Sequence, residues 1–137
     1  MALMTCLRIA GTILLLLALA HVGFAKRFHW KEELPRLSLI NRQMFLVHVF
    51  FIAMIVTMMG ILSLVFPETL VERSPLARLV LLGLTLFWGT RLVFQWFVYD
   101  HALWRGQRFN TAIHFLFTTF WTYLTSVYAW ALWQQFD

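Results

Sequence analysis

Charged residues are scarce in this chain: lysine, arginine, aspartate and glutamate together make up 12% of its 137 residues. Soluble domains are about a quarter charged and about half apolar, whereas 61% of this sequence is hydrophobic. A soluble fold of this size could not bury so much apolar surface. The composition therefore predicts an integral membrane protein, and the length allows a single domain over residues 1–137.

Cysteine is almost absent, since Cys6 is the only one. One thiol excludes an internal disulfide and any metal site built from cysteines. The sequence also contains no HExxH motif, no phosphate-binding loop and no nucleotide fingerprint, and its apolar stretches contain no carboxylate. We therefore predict neither catalytic residues nor a metal site.

Four apolar stretches are long enough to cross about 30 Å of hydrocarbon, which takes roughly 20 helical residues. Because backbone N–H and C=O groups find no water in lipid, each stretch is predicted to be helical. The predicted spans are residues 9–25, 44–66, 76–99 and 111–133. The expected fold is all-α, a four-transmembrane-helix bundle of a multi-pass membrane protein.

Local signals mark two of the helix starts. Ser74 followed by Pro75 is typical of an N-cap with proline at the first helical position. Asn110 is a candidate cap for the fourth helix.

The first span has an alternative interpretation as a signal peptide. Arg8, the apolar run after it and the triplet at residues 18–20 resemble a cleavable signal. Cleavage there would translocate Lys26, Arg27 and Lys31 directly behind the cut, against the positive-inside preference. We therefore expect residues 1–20 to be retained.

Lysine and arginine are unequally divided between the two sides of the predicted bundle. Seven lie in the first and third connections and three on the other side: Lys26, Arg27, Lys31, Arg36, Arg42, Arg105 and Arg108 against Arg8, Arg73 and Arg78. The positive-inside rule places those two connections in the cytoplasm and both termini outside. The formal charge of +5 then indicates anionic lipids of the bilayer as the partner, and not nucleic acid.

Histidines gather at one predicted membrane boundary. His21 lies about four residues before the end of the first span, His48 about four after the start of the second, and His114 about three after the start of the fourth. At 1.5 Å per residue, each is roughly 4–8 Å inside the same boundary.

Arg91 lies deeper, within the third span, where an arginine costs at least about 2.5 kcal/mol on insertion scales. Gln95 and Tyr99 follow four and eight residues later, so the three share a stripe that points toward the histidine level. Because no span contains a carboxylate, we expect Arg91 to bind an anionic ligand or lipid, or to be satisfied by carbonyls and hydroxyls.

A short internal repeat links the second and fourth spans. Arg42 precedes His48 by six residues, as Arg108 precedes His114, within similar apolar strings. The match favours two pseudo-repeated helical hairpins, with His48 and His114 facing each other. Two matches this short also arise by chance, so both interpretations stay open.

Three classes of function are compatible with these features. The first is a small membrane subunit or an assembly or scaffold protein, which docks against a larger membrane complex or forms a homo-oligomer. The second is a redox protein that holds haem b between His48 and His114, with His21 nearby. The third is a site for a quinone or a lipid headgroup, formed by Arg91, Gln95 and Tyr99 together with the histidines.

Three segments carry a resemblance to known proteins: LSLINRQMF at residues 37–45, SPLAR at 74–78 and FWGTRLV at 87–93. Together they resemble a group of uncharacterised small bacterial four-helix integral membrane proteins. The resemblance implies the cell inner membrane and four spans, and it implies no activity. In architecture alone, the chain is also similar to DoxX-like proteins.

Overall fold

The computed structural model describes residues 1–104 and 106–137, and within them the chain is helical and contains no β-strand. The prediction of an all-α fold is therefore confirmed. Six α-helices follow one another: α1 (Ala2–Arg27), α2 (Trp30–Glu33), α3 (Leu39–Val65), α4 (Pro67–Val71), α5 (Pro75–Phe97) and α6 (Arg108–Trp133). Short 3₁₀ turns occupy Leu34–Arg36 and His101–Leu103.

Three helices, α1, α3 and α5, are long and apolar enough to cross a membrane. The chain thus has the helices of a membrane protein. At 26 residues α6 is as long as α1, but its many hydroxyl and indole groups lower its mean hydropathy, and it is not among the three. The fourth span stays a prediction.

The long helices begin before the predicted apolar spans, whereas α3 and α5 end slightly before them, at Val65 and Phe97. α1 begins at Ala2 and not at residue 9, and α3 begins at Leu39 and not at residue 44. Hydropathy marks only the part of a helix that lies in hydrocarbon, whereas the backbone hydrogen bonds continue into polar flanks.

One of the two predicted caps is confirmed. The Ser74 hydroxyl accepts a hydrogen bond from the Ala77 N–H at 3.0 Å, and Pro75 is the first residue of α5. The prediction for Asn110 is wrong, because α6 begins two residues earlier, at Arg108. The Asn110 side chain instead donates to the carbonyl oxygen of Leu103 at 3.1 Å.

The long helices pair as two antiparallel hairpins, α1 with α3 and α5 with α6. In the first hairpin the two backbones touch at Gly11. A Cβ atom at this position would lie 2.5 Å from the Leu64 nitrogen and 2.7 Å from the Gly60 oxygen. Glycine is therefore required here for the helices to approach so closely.

The two hairpins are joined at the end of the bundle that carries both chain termini and α4, which we call the terminal end. Here the first half of α1 and the second half of α6 form the core, with Leu7, Leu14 and Tyr128 fully buried. The hydroxyls of Tyr128 and Ser63 are 2.7 Å apart, and this bond connects α6 to α3. Both termini thus lie on the same side of the bundle.

The Gln135 side chain connects the last turn of the chain, through hydrogen bonds, to the end of α4 and the start of α5. Its side chain is 1% exposed, and its Nε2 donates to the carbonyl oxygens of Leu70, Val71 and Glu72 at 3.1, 3.1 and 3.3 Å. Its Oε1 accepts from the Ser74 N–H at 3.3 Å. One amide therefore satisfies the carbonyls that α4 leaves free at its end.

The opposite end, which carries His21, His48 and His114, is more open, and we call it the histidine end. No residue of α1 after Leu14 and no residue of α3 before Val56 is buried, and the same holds for α6 before Trp121. At this end the surfaces of the helices are available to lipid.

Candidate functional site

Gln95 on α5 is the only buried polar side chain that the described residues place at the histidine end, with 4% exposure. Its Oε1 accepts hydrogen bonds from Arg91 Nη1 at 3.3 Å and from Trp121 Nε1 at 3.2 Å. Its Nε2 lies 2.7 Å from His114 Nδ1. Together with Tyr99, these side chains form what we call the Gln95 cluster.

The Gln95 cluster contains four of the six residues predicted from the sequence. Arg91 and Gln95 share one face of α5 because they are four residues apart. Tyr99 follows two residues after the end of α5, and Arg91 Nη2 donates to its hydroxyl at 3.3 Å. His114 joins them from α6. The stripe and its histidine are therefore brought together by the pairing of α5 with α6.

Trp121 is the member that the sequence reasoning missed. It lies seven residues after His114, so both side chains fall on the face of α6 that meets α5. The i, i+7 spacing was the available signal, but a tryptophan in an apolar helix is equally typical of a core or an interface residue.

The two donors on Gln95 Oε1 fix the orientation of the amide. Both Arg91 and Trp121 can only donate, so the atom that faces them must be the oxygen. The Gln95 NH₂ group therefore donates to His114 Nδ1, and the neutral imidazole carries its proton on Nε2. His114 thus presents an N–H group, and not a lone pair, on its free side.

Arg91 is half-buried between aromatic rings and has no carboxylate partner. Its guanidinium carbon lies 5.0 Å from the Trp121 ring centroid and 5.4 Å from that of Tyr99. Every aspartate and glutamate is among the described residues, and the ion pair found there joins Arg8 to Glu68 at the terminal end. The charge of Arg91 is therefore held only by π faces and neutral acceptors.

A stack of aromatic rings forms the floor of the Gln95 cluster. Trp121 stacks on both Trp88 and Phe117. Its ring centroid lies 5.1 Å from that of Trp88, at an interplanar angle of 15°, and 5.4 Å from that of Phe117, at 11°. On the other side, the Trp104 ring lies 4.4 Å from that of His114. The rings fix the positions of the polar groups between them.

The other two predicted histidines lie outside the Gln95 cluster. His21 Nδ1 bonds the Leu17 carbonyl oxygen of its own helix at 2.8 Å, and His48 Nδ1 bonds that of Met44 at 2.7 Å. His48 is exposed on the surface of α3. The shared depth of the three histidines does not bring them to one site.

The haem hypothesis requires His48 and His114 to offer lone pairs to one iron. Among the described residues no hydrogen bond or ring contact links the two, and His114 presents an N–H at Nε2. The pairing stays a prediction, and it gains no support from this geometry. A Soret band in the purified protein, lost on His48→Ala, is its direct test.

No protein-family model, curated protein or solved structure matches this chain. Its function is therefore inferred from the Gln95 cluster.

Proposed function

We propose that the chain crosses the cell inner membrane four times, with both termini outside the cytoplasm. The position of both termini at one end of the bundle supports an even number of crossings. The hydroxyls of Thr118, Thr122 and Thr125 bond carbonyl oxygens of α6 itself at 2.7–2.8 Å. Because these groups are already satisfied, they cost α6 less in lipid than its mean hydropathy suggests.

We propose further that the Gln95 cluster binds the oxygen-bearing polar head of a lipid-soluble ligand. The observation that supports this most directly is the half-buried Arg91, which no carboxylate neutralises. An arginine at membrane depth costs several kcal/mol unless it has a partner or water. The two neutral acceptors at 3.3 Å from Arg91 leave three of its five N–H donors free.

The free polar atoms of the cluster are donors. His114 offers Nε2–H, Arg91 offers its remaining N–H groups, and the Tyr99 hydroxyl, which accepts from Arg91, still has its own hydrogen. A site in which most free polar groups are donors suits a ligand whose head only accepts, such as a quinone carbonyl or a lipid phosphate. The open histidine end provides lateral access from the bilayer.

Ligand titration of the purified protein in detergent tests this function. A short-chain quinone and a brominated phosphatidylglycerol both quench tryptophan fluorescence on contact, and Trp121 and Trp104 lie within the site. Arg91→Gln removes the charge and keeps a polar side chain. Arg78→Gln is the matched control, because Arg78 lies on the same helix at the terminal end, over the ring of Phe136.

We expect Arg91→Gln to weaken binding of one of the two probes about 10- to 100-fold, as expected for loss of a hydrogen bond to a charged group. Arg78→Gln should leave binding unchanged. The probe that responds identifies the ligand class. Equal binding by both variants, or saturable binding of neither probe to the wild type, would contradict the proposed function.

A role as a membrane subunit or scaffold is the second candidate, and one observation favours it. The exposed His48 has Nδ1 satisfied by its own helix, which leaves Nε2 without a partner on an otherwise apolar surface of α3. A transmembrane helix that offers a hydrogen-bonding group would fit there. After mild solubilisation, the protein should then co-purify with a partner chain or a second copy of itself, and His48→Leu should abolish this association. A stable isolated monomer would contradict this role.

A further inference from the structure

The chain makes a tight turn immediately after α1. His29 adopts the left-handed backbone conformation, with φ 52°, which is uncommon for a residue other than glycine. The turn separates α1 from the short helix α2 and leaves a groove of about 380 Å³, lined by Gly23, Lys26, Arg27 and His29. Three of its four lining residues carry basic or imidazole side chains.

Gly23 faces open space in this groove. A Cβ atom at this position would have no neighbour within 4 Å, so the missing side chain leaves free space beside Lys26 and Arg27. Packing between helices gives no reason for a glycine here, unlike at Gly11.

Arg27 lies beside two aromatic rings and is not neutralised. Its guanidinium carbon lies 5.9 Å from the ring centroid of Phe28 and 5.4 Å from that of Phe109 in the first turn of α6. All carboxylates are among the described residues, and none forms an ion pair with Arg27. An exposed cation without a carboxylate partner, beside an open groove, is suited to an anion.

The surface that leads away from the groove is apolar. Leu19 and Leu16 precede Gly23 by four and seven residues, so the three share one stripe of α1. Both leucines are more than half exposed, at 68% and 62%. An anion bound in the groove would therefore have space for acyl chains along the same helix, which favours a lipid over a soluble ion.

We propose that Lys26, Arg27 and His29 bind the phosphate of an anionic phospholipid, with its acyl chains along Leu19 and Leu16. The site shares no residue with the Gln95 cluster, so its test is independent of the function proposed there. A bound lipid here would cover the junction of α1 with α6 at the histidine end.

Native mass spectrometry of the detergent-solubilised protein measures this binding directly, with phosphatidylglycerol, phosphatidylcholine and inorganic phosphate as three separate probes. The double variant Lys26→Gln/Arg27→Gln removes the two cations of the groove. The matched control, Lys31→Gln/Arg36→Gln, removes two cations from the same connection outside the groove.

The wild type should bind phosphatidylglycerol more tightly than phosphatidylcholine. We expect the groove variant to lose about 30-fold in affinity for phosphatidylglycerol, at about fivefold per cation. The control variant should lose less than about threefold. Equal losses in both variants would indicate diffuse charge attraction and would overturn the proposal, as would inorganic phosphate competing at millimolar concentration.

A second variant tests the groove without changing charge. Gly23→Leu fills open space and leaves packed atoms in place, so the fold is expected to remain intact. It should weaken phosphatidylglycerol binding at least about tenfold, whereas Gly83→Leu, at an equally open position on α5, should have no effect. Unchanged binding by Gly23→Leu would contradict a site in this groove.

Discussion

The contact between α1 and α3 at Gly11 gives the sharpest test of how the first hairpin is held together. In Gly11→Ala, the added Cβ would lie 2.5 Å from a backbone nitrogen, whereas ordinary van der Waals contact begins at 3.4 Å. The two helices must therefore separate by about 0.9 Å. The nearest atoms belong to backbone, so no rotation of a side chain can relieve the overlap.

We expect Gly11→Ala to lower the free energy of unfolding by about 2–3 kcal/mol, the upper part of the range for overpacked cores. Separation by this distance forfeits a quarter to a half of the dispersion energy of each pair of touching atoms. Gly60→Ala should cost less, because its nearest neighbours, at 2.9 and 3.0 Å, are side-chain atoms of Leu15 that can move.

Gly23→Ala is the matched control, because it makes the same chemical change on the same helix where no atom lies within 4 Å. It should be neutral, or stabilising by up to about 1 kcal/mol through helix propensity. Unfolding by sodium dodecyl sulfate in dodecylmaltoside micelles, followed by tryptophan fluorescence and near-UV circular dichroism, measures all three variants. If Gly11→Ala were as stable as Gly23→Ala, the close backbone contact would be refuted.

Three further substitutions test contacts elsewhere in the bundle. Gln135→Leu should lower the free energy of unfolding by about 2 kcal/mol, because three carbonyls, of which that of Leu70 is buried, lose their donor. Proteolysis after α4 should then become faster, and an unchanged cleavage rate would argue against this role of Gln135. A double-mutant cycle of Ser63→Ala with Tyr128→Phe should give a coupling energy of about 1 kcal/mol, and zero coupling would show that their bond contributes nothing. Trp121→Phe keeps the aromatic stack but removes the N–H that donates to Gln95. Ligand affinity at the Gln95 cluster should therefore fall several-fold, whereas the free energy of unfolding should change by about 1 kcal/mol at most.

The depth of each residue along its helix could be predicted from the sequence alone. A helix rises 1.5 Å per residue, so alternating apolar spans place His21, His48 and His114 at one level without any knowledge of packing. The stripe of Arg91 and Gln95 also followed from a local rule, because residues four apart share a helix face. These predictions needed only the geometry of a single helix.

The direction in which each histidine points could not be predicted, because rotation of a helix about its axis is set by its neighbours. His114 faces Gln95 because it lies on the side of α6 that packs on α5. His48 faces outward because α3 packs on α1 through a different side from the one that carries His48. Gly11 and Gly23 illustrate the same limit, because both are glycines in the same apolar helix. Only the position of α3 shows that Gly11 is required for a close helix contact and that Gly23 faces an open groove.

The two ends of the bundle differ in how they are stabilised, and this difference bears on function. At the terminal end, backbone contact at Gly11, the bond between Ser63 and Tyr128, and the amide of Gln135 hold five helices together. At the histidine end the polar groups of α5 and α6 bond mainly within their own hairpin. The first hairpin contacts the second there through the Arg27 guanidinium, which lies over the Phe109 ring. Motions of low free-energy cost concentrate where few buried contacts must break. The hairpins are therefore expected to part at the histidine end while the terminal end stays closed, and a ligand of the Gln95 cluster could enter from the bilayer without unfolding the core.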